Sequence, residues 1–381
     1  MKDSKRFKQL LVSALALPGI TTASDAPLKT SMSYRFTHYT EDAIDARKVV
    51  SGDTERFDID VHQFRLLTPI FSSSGLELFI QHETLAGASP WGTQRGSQGE
   101  PEQIMSGATI DEERTELSAR FTHYDESITK SMEYGYSKEN DYTAGYFIGA
   151  LAWNFNQKNT VFELSTSFSI DEITPSDAEL FNRVIKEDKT SYSLSLALSQ
   201  ILSKTQMLQL SLSTTYDDGY LSDPYKLEDR RPDSRLQNVF GMQFRQFLRI
   251  ASGALHINYR FFDDDWDMQS HTFEMQWHQN LPHGILISPY LRYYSQKETF
   301  FYEPYPLVES PQTFISSDYR LSPFGAVTYG LAFRQDLGRW SYTFSYENYE
   351  SDTDFSIDSI EIANPGLVNF QRFTLGFDHN F

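Results

Sequence analysis

Arginines and glutamates occupy the polar positions of many alternating runs in this sequence. Alternation places successive side chains on opposite faces of a strand, so these charges are predicted to share one face of a sheet. Facing an enclosed interior, they would either pair and stiffen the wall, or line a water path and select solutes by charge. Because both signs are abundant, we favour pairing. The candidate lumen-lining residues are Arg35, Arg120, Arg245, Arg260, Arg292, Arg334, Arg372, Glu77, Glu163, Glu274 and Glu347.

Four aspartates around Trp266 form the densest acidic cluster, at Asp263, Asp264, Asp265 and Asp267. Oxygen-rich clusters suit hard cations such as calcium. The spacing lacks the glycine and the distant glutamate of a calcium-binding loop. We therefore interpret the segment as a solvated acidic loop and keep metal binding as the weaker alternative.

Side chains suited to catalysis are present, but no motif fixes a site. The chain has no cysteine, which excludes disulfides and thiolate metal sites. His62, His256 and His278 could face an interior near serine or glutamate. A hydrolase, however, needs a nucleophile or a water molecule held by a positioned base. We therefore assign no catalytic residue, no cofactor and no enzymatic activity.

The elements that must position these charges are β-strands, because apolar residues recur with period 2 almost throughout. Sixteen such runs can be counted, from Met32-Tyr34-Phe36 to Phe373-Leu375-Phe377. One apolar face and one polar face are what the wall of a water-filled barrel requires. The predicted fold is an all-β, porin-like transmembrane antiparallel barrel of about 16 strands. Leu210, Ile257, Phe333 and Phe344 are predicted to face lipid.

The connections between the runs alternate in length. Short turns are predicted near residues 72–75, 125–127, 156–159, 203–205, 251–253, 281–284 and 336–339. Longer links fall between them, for example at residues 41–55, 85–114, 171–190, 217–234, 295–325 and 350–367. This alternation is typical of barrels with short periplasmic turns and long extracellular loops. A soluble β-sandwich has no reason to show it.

The N-terminus reads as an export signal. A basic start containing Lys2, Lys5, Arg6 and Lys8 precedes a short apolar run and then small residues. We predict a cleaved signal peptide at residues 1–23 and an outer-membrane barrel at residues 24–381, in a Gram-negative bacterium. Outer-membrane lipid and lipopolysaccharide are the expected surroundings. The formal net charge of −19 argues against a nucleic-acid partner.

The last strand ends in aromatic residues. Phe377 and Phe381 continue the alternation to the final residue. Such an ending resembles the signal that the bacterial barrel-assembly machinery reads, so this machinery is an expected partner. The alternative is a strand that merely ends there.

One long connection, residues 217–235, is rich in charges of both signs and in turn formers. Pro224 and Pro232 restrict the backbone, which lowers the entropic cost of ordering the loop. We predict that the loop folds over or into the barrel mouth, with Tyr216, Tyr220, Leu221 and Tyr225 making contact. A self-paired loop without a function is the alternative. The candidate motif residues are Leu221, Ser222, Asp223, Pro224, Tyr225, Lys226, Arg231 and Arg235.

This motif resembles a family of bacterial proteins of unknown function, DUF3570. The resemblance is best from about Tyr192 onward, and Leu221 to Lys226 is its most specific piece. The segments at residues 231–235, 259–277, 289–294 and 316–324 also carry it. It implies an exported barrel without an established activity. It also implies a periplasmic context that includes a flavin transferase, a thioredoxin-like protein and a small lipoprotein, hence a lipoprotein or redox partner.

Three functions remain open from sequence. The first is an outer-membrane channel for an unidentified solute. The second is a non-conducting scaffold for a surface or periplasmic partner. The third, an outer-membrane hydrolase, is the weakest, because no motif supports it.

Overall fold

The computed structural model describes residues 26–97, 99–107, 110–306 and 311–381, with only the main chain at residues 110 and 111. The predicted signal peptide lies outside the described residues. Within them, no helix is long and apolar enough to cross a membrane.

The chain forms a closed antiparallel barrel of sixteen strands, which confirms the predicted fold. The first half of the wall comprises β1 (Ser31–Glu41), β3 (Asp58–Ile70), β4 (Ser74–Gly87), β7 (Ile110–Tyr124), β8 (Ile128–Lys138), β9 (Tyr142–Phe155), β10 (Thr160–Ile173) and β11 (Glu187–Ser203). The second half comprises β12 (Gln206–Gly219), β13 (Ser234–Leu248), β14 (Gly253–Asp264), β15 (Gln269–Leu281), β16 (Ile285–Gln296), β17 (Phe324–Leu337), β18 (Trp340–Asp352) and β19 (Phe370–Asn380). Each strand pairs with its neighbour in this order, and β1 closes the ring on β19 from Ser31↔Asn380 to Glu41↔Phe370.

Three short strands lie outside the wall, in the connections. They are β2 (Val49–Ser51), β5 (Pro90–Arg95) and β6 (Pro101–Met105), and they form a small sheet in the order β2-β6-β5. Four 3-10 turns complete the described elements, at Ala46–Lys48, Pro282–Gly284, Tyr319–Leu321 and Thr353–Phe355. The small sheet was not predicted, because its pairing joins two different connections.

The two ends of the barrel differ as the sequence predicts. At one end, called the turn end, short connections join the strands at residues 71–73, 125–127, 156–159, 204–205, 249–252, 282–284 and 338–339. Positive φ angles of 49° at Asn156 and 66° at Gly338 allow the chain to reverse tightly there. The opposite end, the loop end, carries the long connections, although residues 139–141 and 265–268 make two short ones.

Side chains along each wall strand alternate between the outer and the inner face of the barrel. On β11, Leu194 and Leu198 are each 45% exposed on the outside, whereas Ser195 bonds Ser213 across the inner face at 2.7 Å. Register carries this outer face around the ring, through Leu198↔Leu210, Phe244↔Ile257 and Phe333↔Phe344. The four positions predicted to face lipid, Leu210, Ile257, Phe333 and Phe344, all lie on this apolar outer face.

The apolar residues of β3 and of the residue before it do not all lie on the outer face, as the sequence run alone would suggest. Phe57 and Ile59 are buried with Leu85 inside the loop end, and Phe64 and Leu66 carry the outer apolar face. His62, which was considered as an inward-facing residue, lies on the outer face, where its ring packs against Phe36 at 5.1 Å.

Candidate functional site: a capped mouth and a charged lumen

Most of the fully buried side chains lie at the loop end, although Gln209 on β12 is buried within the wall. Ser316, Asp318 and Ser322 are at most 1% exposed. They belong to a layer that we call the cap. The cap consists of the described residues of the connections at 42–57, 88–109, 220–233, 297–323 and 353–369. It rests on an apolar cluster of Phe262, Trp266, Met268, Phe301 and Leu321.

Contacts between distant connections show that the cap crosses the mouth. Leu227 donates its N–H to the carbonyl of Trp91 at 2.7 Å, which joins the β12–β13 connection to the β4–β7 connection. Thr93 donates its N–H to Ser317 Oγ at 3.3 Å, which joins the β4–β7 and β16–β17 connections. The strands that carry these connections are far apart in the ring. Their loops must therefore span the opening in order to meet.

A buried ionic cluster binds two of these connections together. Asp318 lies at its centre, with its side chain fully buried. It accepts from Arg231 Nη2 at 2.9 Å and from Arg320, and Lys226 Nζ lies 3.7 Å away. Asp229 accepts from Arg231 at 2.9 Å. Since a buried charge is tolerated only when paired and hydrogen-bonded, the cluster requires the closed geometry.

Asp223 completes the cluster and explains how the predicted motif folds. Its Oδ1 accepts from the N–H of Tyr225 at 3.1 Å, a local turn that Pro224 favours. Its Oδ2 accepts from Arg320 Nη2 at 3.0 Å. Three carboxylates, those of Asp223, Asp229 and Asp318, thus face the cations Lys226, Arg231 and Arg320.

The electrostatics of the cluster favour the charged form of Asp318. Burial alone would raise the pKa of Asp318, but Arg320, Lys226 and Arg231 outweigh burial and hold this pKa well below its usual range. Burial lowers the pKa of Lys226, and the attraction of Asp318 and Asp223 does not fully offset it. Asp318 is therefore bound more strongly within the cluster than Lys226.

The tyrosine of the motif anchors the cap to the rim. Tyr225 is 4% exposed, and its hydroxyl donates to Asp141 and accepts from the N–H of Ser176 at 2.9 Å. These two partners lie in the β8–β9 and β10–β11 connections. Leu221 packs on the apolar cluster beneath the cap. Tyr216, by contrast, is 42% exposed on the outer face of β12 and does not contact the cap.

The acidic loop around Trp266 uses its carboxylates to hold structure. Asp264 accepts from Arg235 Nε at 2.8 Å and from the N–H of Met268 at 2.9 Å. Asp265 accepts from the N–H of Leu236 at 2.9 Å. Arg235 also lies over the Trp266 ring, 4.4 Å from its centre. The other two aspartates of the cluster have local roles. Asp263 accepts a hydrogen bond from Gln269 at 2.9 Å, and Asp267 adopts a φ of 66° in the turn.

A different group brings possible metal ligands together. One ring nitrogen of His38 and oxygens of Asp58 and Asp60 all lie within 4.8 Å of one another. The group lies on the outer face near the loop end and is partly exposed. Sequence reasoning missed it, because the histidine and the aspartates lie on different strands, β1 and β3.

Most of the predicted lumen residues face inward in ion pairs. Arg35 binds Asp378 at 2.7 Å, Arg120 binds Glu133 at 2.5 Å, and Arg334 binds Asp336 at 2.9 Å. Glu77 binds Arg65 at 2.5 Å, and Arg372 binds Glu347. Glu163 is buried on the inner face of β10.

The other predicted arginines behave differently. Arg245 donates to Asn258 at 2.6 Å, and Asn258 in turn donates to Glu274 at 2.6 Å. Among the described residues, no carboxylate lies within ion-pair distance of Arg245, Arg260 or Arg292. These three cations therefore keep their charge available to the lumen.

An inner cavity adjoins Arg292, one of these three arginines. It encloses about 300 Å³ and is lined by Glu274, Ser288, Tyr290, Arg292, Glu347 and Arg372, among others. Beside it, His278 bonds Ser288 Oγ at 2.8 Å and His256 at 3.0 Å. These polar groups surround a space large enough for a small polar solute.

The final strand closes the barrel. Phe377 lies on the outer face, with its ring centre 5.1 Å from that of Tyr34. Phe381 follows β19 and donates its N–H to the carbonyl of Thr30 at 3.0 Å.

A family model described as "Protein of unknown function (DUF3570)" matches residues 7–364. No curated protein matches the sequence. Among solved structures, CdiB from Acinetobacter baumannii is similar with a TM-score of 0.53 at 7% identity, covering 93% of this chain and 60% of that one. The siderophore receptor PirA from Pseudomonas aeruginosa gives 0.45 at 10% identity, covering 87% and 57%. A BenF-like porin from Pseudomonas fluorescens Pf-5 gives 0.47 at 9% identity, covering 95% and 100%. The chain thus spans under two thirds of the first two structures.

Proposed function

The chain belongs to the family described as "Protein of unknown function (DUF3570)", and from that premise we propose that it is an outer-membrane channel whose extracellular mouth is closed by its own cap. The loop end then faces outward and the turn end faces the periplasm, as is usual for such barrels. The solute is small and polar, because the lumen is lined by charged and hydroxyl groups.

The observation that carries this proposal is the ionic cluster of the cap. Packing alone could close a mouth permanently. Here the closure depends on Asp223, Asp229 and Asp318 meeting three cations from two connections, so it is reversible in principle. A wall of sixteen strands leaves room for water beneath such a cap. We assign the barrel no catalytic role.

The alternative is a non-conducting scaffold for a periplasmic lipoprotein or redox partner. The extensive interlocking of the cap favours it, because a barrel that never opens would keep such a layer intact. The two functions differ in one measurable property, the ionic conductance once the cap is removed.

Planar-bilayer conductance tests the proposal. We expect small or rare currents from the full barrel and steady currents after residues 220–231 are replaced by a short flexible linker. The control is the double variant Asp45→Ala, Arg47→Ala, which removes an exposed ion pair of another cap connection. It should behave as the wild type. A folded deletion variant that stays silent would refute the channel and favour the scaffold.

A further inference from the structure

Charges of opposite sign are concentrated on different parts of the inner wall. On β4, β7, β8 and β10, carboxylates outnumber the cations of the same inner face. The inward carboxylates are Glu77, Glu83, Glu112, Glu116, Glu133, Glu163 and Asp171, and the inward cations are Arg114 and Arg120. We call this region the acidic wall. Arg114 and Arg120 are already paired, with Glu116 at 2.7 Å and Glu133 at 2.5 Å. From the flanking strands, Arg65 pairs with Glu77 at 2.5 Å and Lys189 with Asp171 at 2.9 Å, and the carboxylates still outnumber the cations that reach them.

The facing region, called the basic wall, carries Arg245 on β13, Arg260 on β14 and Arg292 on β16. As shown above, no carboxylate of the described residues pairs with these three arginines within 4 Å. Glu274 lies opposite Arg292 in register, but its carboxylate accepts from Asn258.

The order of strands places the two walls across the lumen from each other. Only β11 and β12 separate them on one side, and β17, β18, β19, β1 and β3 separate them on the other. They also overlap in depth. Arg260 and Arg292 each lie seven residues above the start of their strands at the turn end, and Glu133 lies five residues above the start of β8.

We propose that this arrangement makes the lumen selective for small zwitterions, solutes that carry an ammonium and a carboxylate. The inference rests on the proposed channel. A zwitterion aligned across the lumen places its carboxylate toward the arginines and its ammonium toward the acidic wall. Both ends are then stabilised at once. A simple anion is repelled by the excess carboxylates, and an uncharged solute gains nothing from the field.

The electrostatic field of the two walls also favours passage of the solute over its tight binding. A wall of sixteen strands leaves room for water, so each contact is screened and weak. Conduction requires such weak, multiple contacts, because a solute that binds tightly does not leave. Small α- and β-amino acids fit this chemical class.

Liposome swelling tests the inference with the full chain carrying Asp318→Asn, which is expected to open the cap. Alanine is the zwitterionic probe, and lactamide is an uncharged probe of similar size. We expect alanine to enter about threefold faster or more, a modest effect suited to screened charges. In KCl gradients, the reversal potential should show a preference for K⁺ over Cl⁻.

The double variant Arg260→Gln, Arg292→Gln, made in the same background, should bring the two swelling rates to within about 1.5-fold, since one half of the field is lost. Arg249→Gln removes an equal charge from a turn outside the lumen, and it should leave the ratio unchanged. Equal rates for alanine and lactamide in a conducting barrel would overturn the zwitterion inference alone. A barrel that neither swells nor conducts would overturn the channel itself.

Discussion

Asp318→Asn should open the cap while leaving the barrel wall intact. The substitution keeps the size of a side chain that is fully buried, but removes the charge that faces Arg231, Arg320 and Lys226. Lys226, Arg231 and the partly exposed Arg320 then face two carboxylates, those of Asp223 and Asp229. Removing one partner of a buried ion pair costs about 3–5 kcal/mol. Since about 1.4 kcal/mol is a factor of ten, the open fraction of the cap should rise on the order of 10²- to 10³-fold.

Tryptic cleavage within the cap measures this opening. The bond between Arg320 and Leu321 is protected while the cap is closed, because Leu321 is only 4% exposed and the Arg320 carbonyl accepts from Gln296 Nε2 at 3.0 Å. Cleavage should therefore track the open population when opening is fast relative to proteolysis. Asp45→Asn is the matched control, since it weakens an aspartate–arginine pair that is exposed to solvent and therefore contributes little. A cleavage rate for Asp318→Asn within about threefold of the control would refute the reasoning.

Three further outcomes are expected. Because the pKa of Asp318 is lowered, its stabilising effect is present above the ordinary aspartate value and is lost as pH falls from about 4 toward the folded pKa. Hydrogen exchange at the Leu321 amide, corrected for the intrinsic exchange rate, should therefore show that the cap opens more readily only in that acidic window. Lys226→Met should open the cap less than Arg231→Met by the same assay, because the Lys226 ammonium lies 3.7 Å from its partner whereas Arg231 makes two contacts at 2.9 Å. Phe344→Arg should destabilise the folded barrel by about 2–4 kcal/mol in denaturant titrations in lipid, and Thr343→Arg, which points into the lumen, should cost less; equal costs would contradict the assigned faces.

The wall could be predicted from sequence because period 2 is a local signal. Leu194, Leu196 and Leu198 alternate with small residues, and no distant contact is needed to interpret them. The run Phe57-Ile59-Val61 shows the limit of this reasoning. It alternates equally well, but it lies on the inner face, because the cap above it provides an apolar surface. The underside of a cap and lipid both accept apolar side chains.

The cap could be predicted only in outline. Pro224, Pro232 and the mixed charges indicate an ordered loop. The second partner of Arg231, however, is Asp318, which lies 87 residues away, and no local pattern identifies it. The same holds for the acidic loop. Its charge density predicts a solvated loop, whereas in the structure Asp264 is buried and holds Arg235 from the neighbouring strand. Contacts between residues that are far apart in the sequence can be predicted only when the order of strands in the closed ring is known.

The long sequence separations across the cap also set an order of assembly. Arg56 donates to the carbonyl of Gly366 at 3.2 Å, a contact between residues 310 positions apart. Such a contact joins the first connection to the last, and it can form only after β1 has paired with β19. Loop-closure entropy makes it unfavourable before then. The newly closed cylinder is therefore uncovered when it forms, and the cap folds onto it as a separate, later event. Pulsed hydrogen exchange should show protection of the β1–β19 pairing before protection of Leu227, whose N–H bonds the carbonyl of Trp91 across the mouth. The reverse order would exclude this sequence of events.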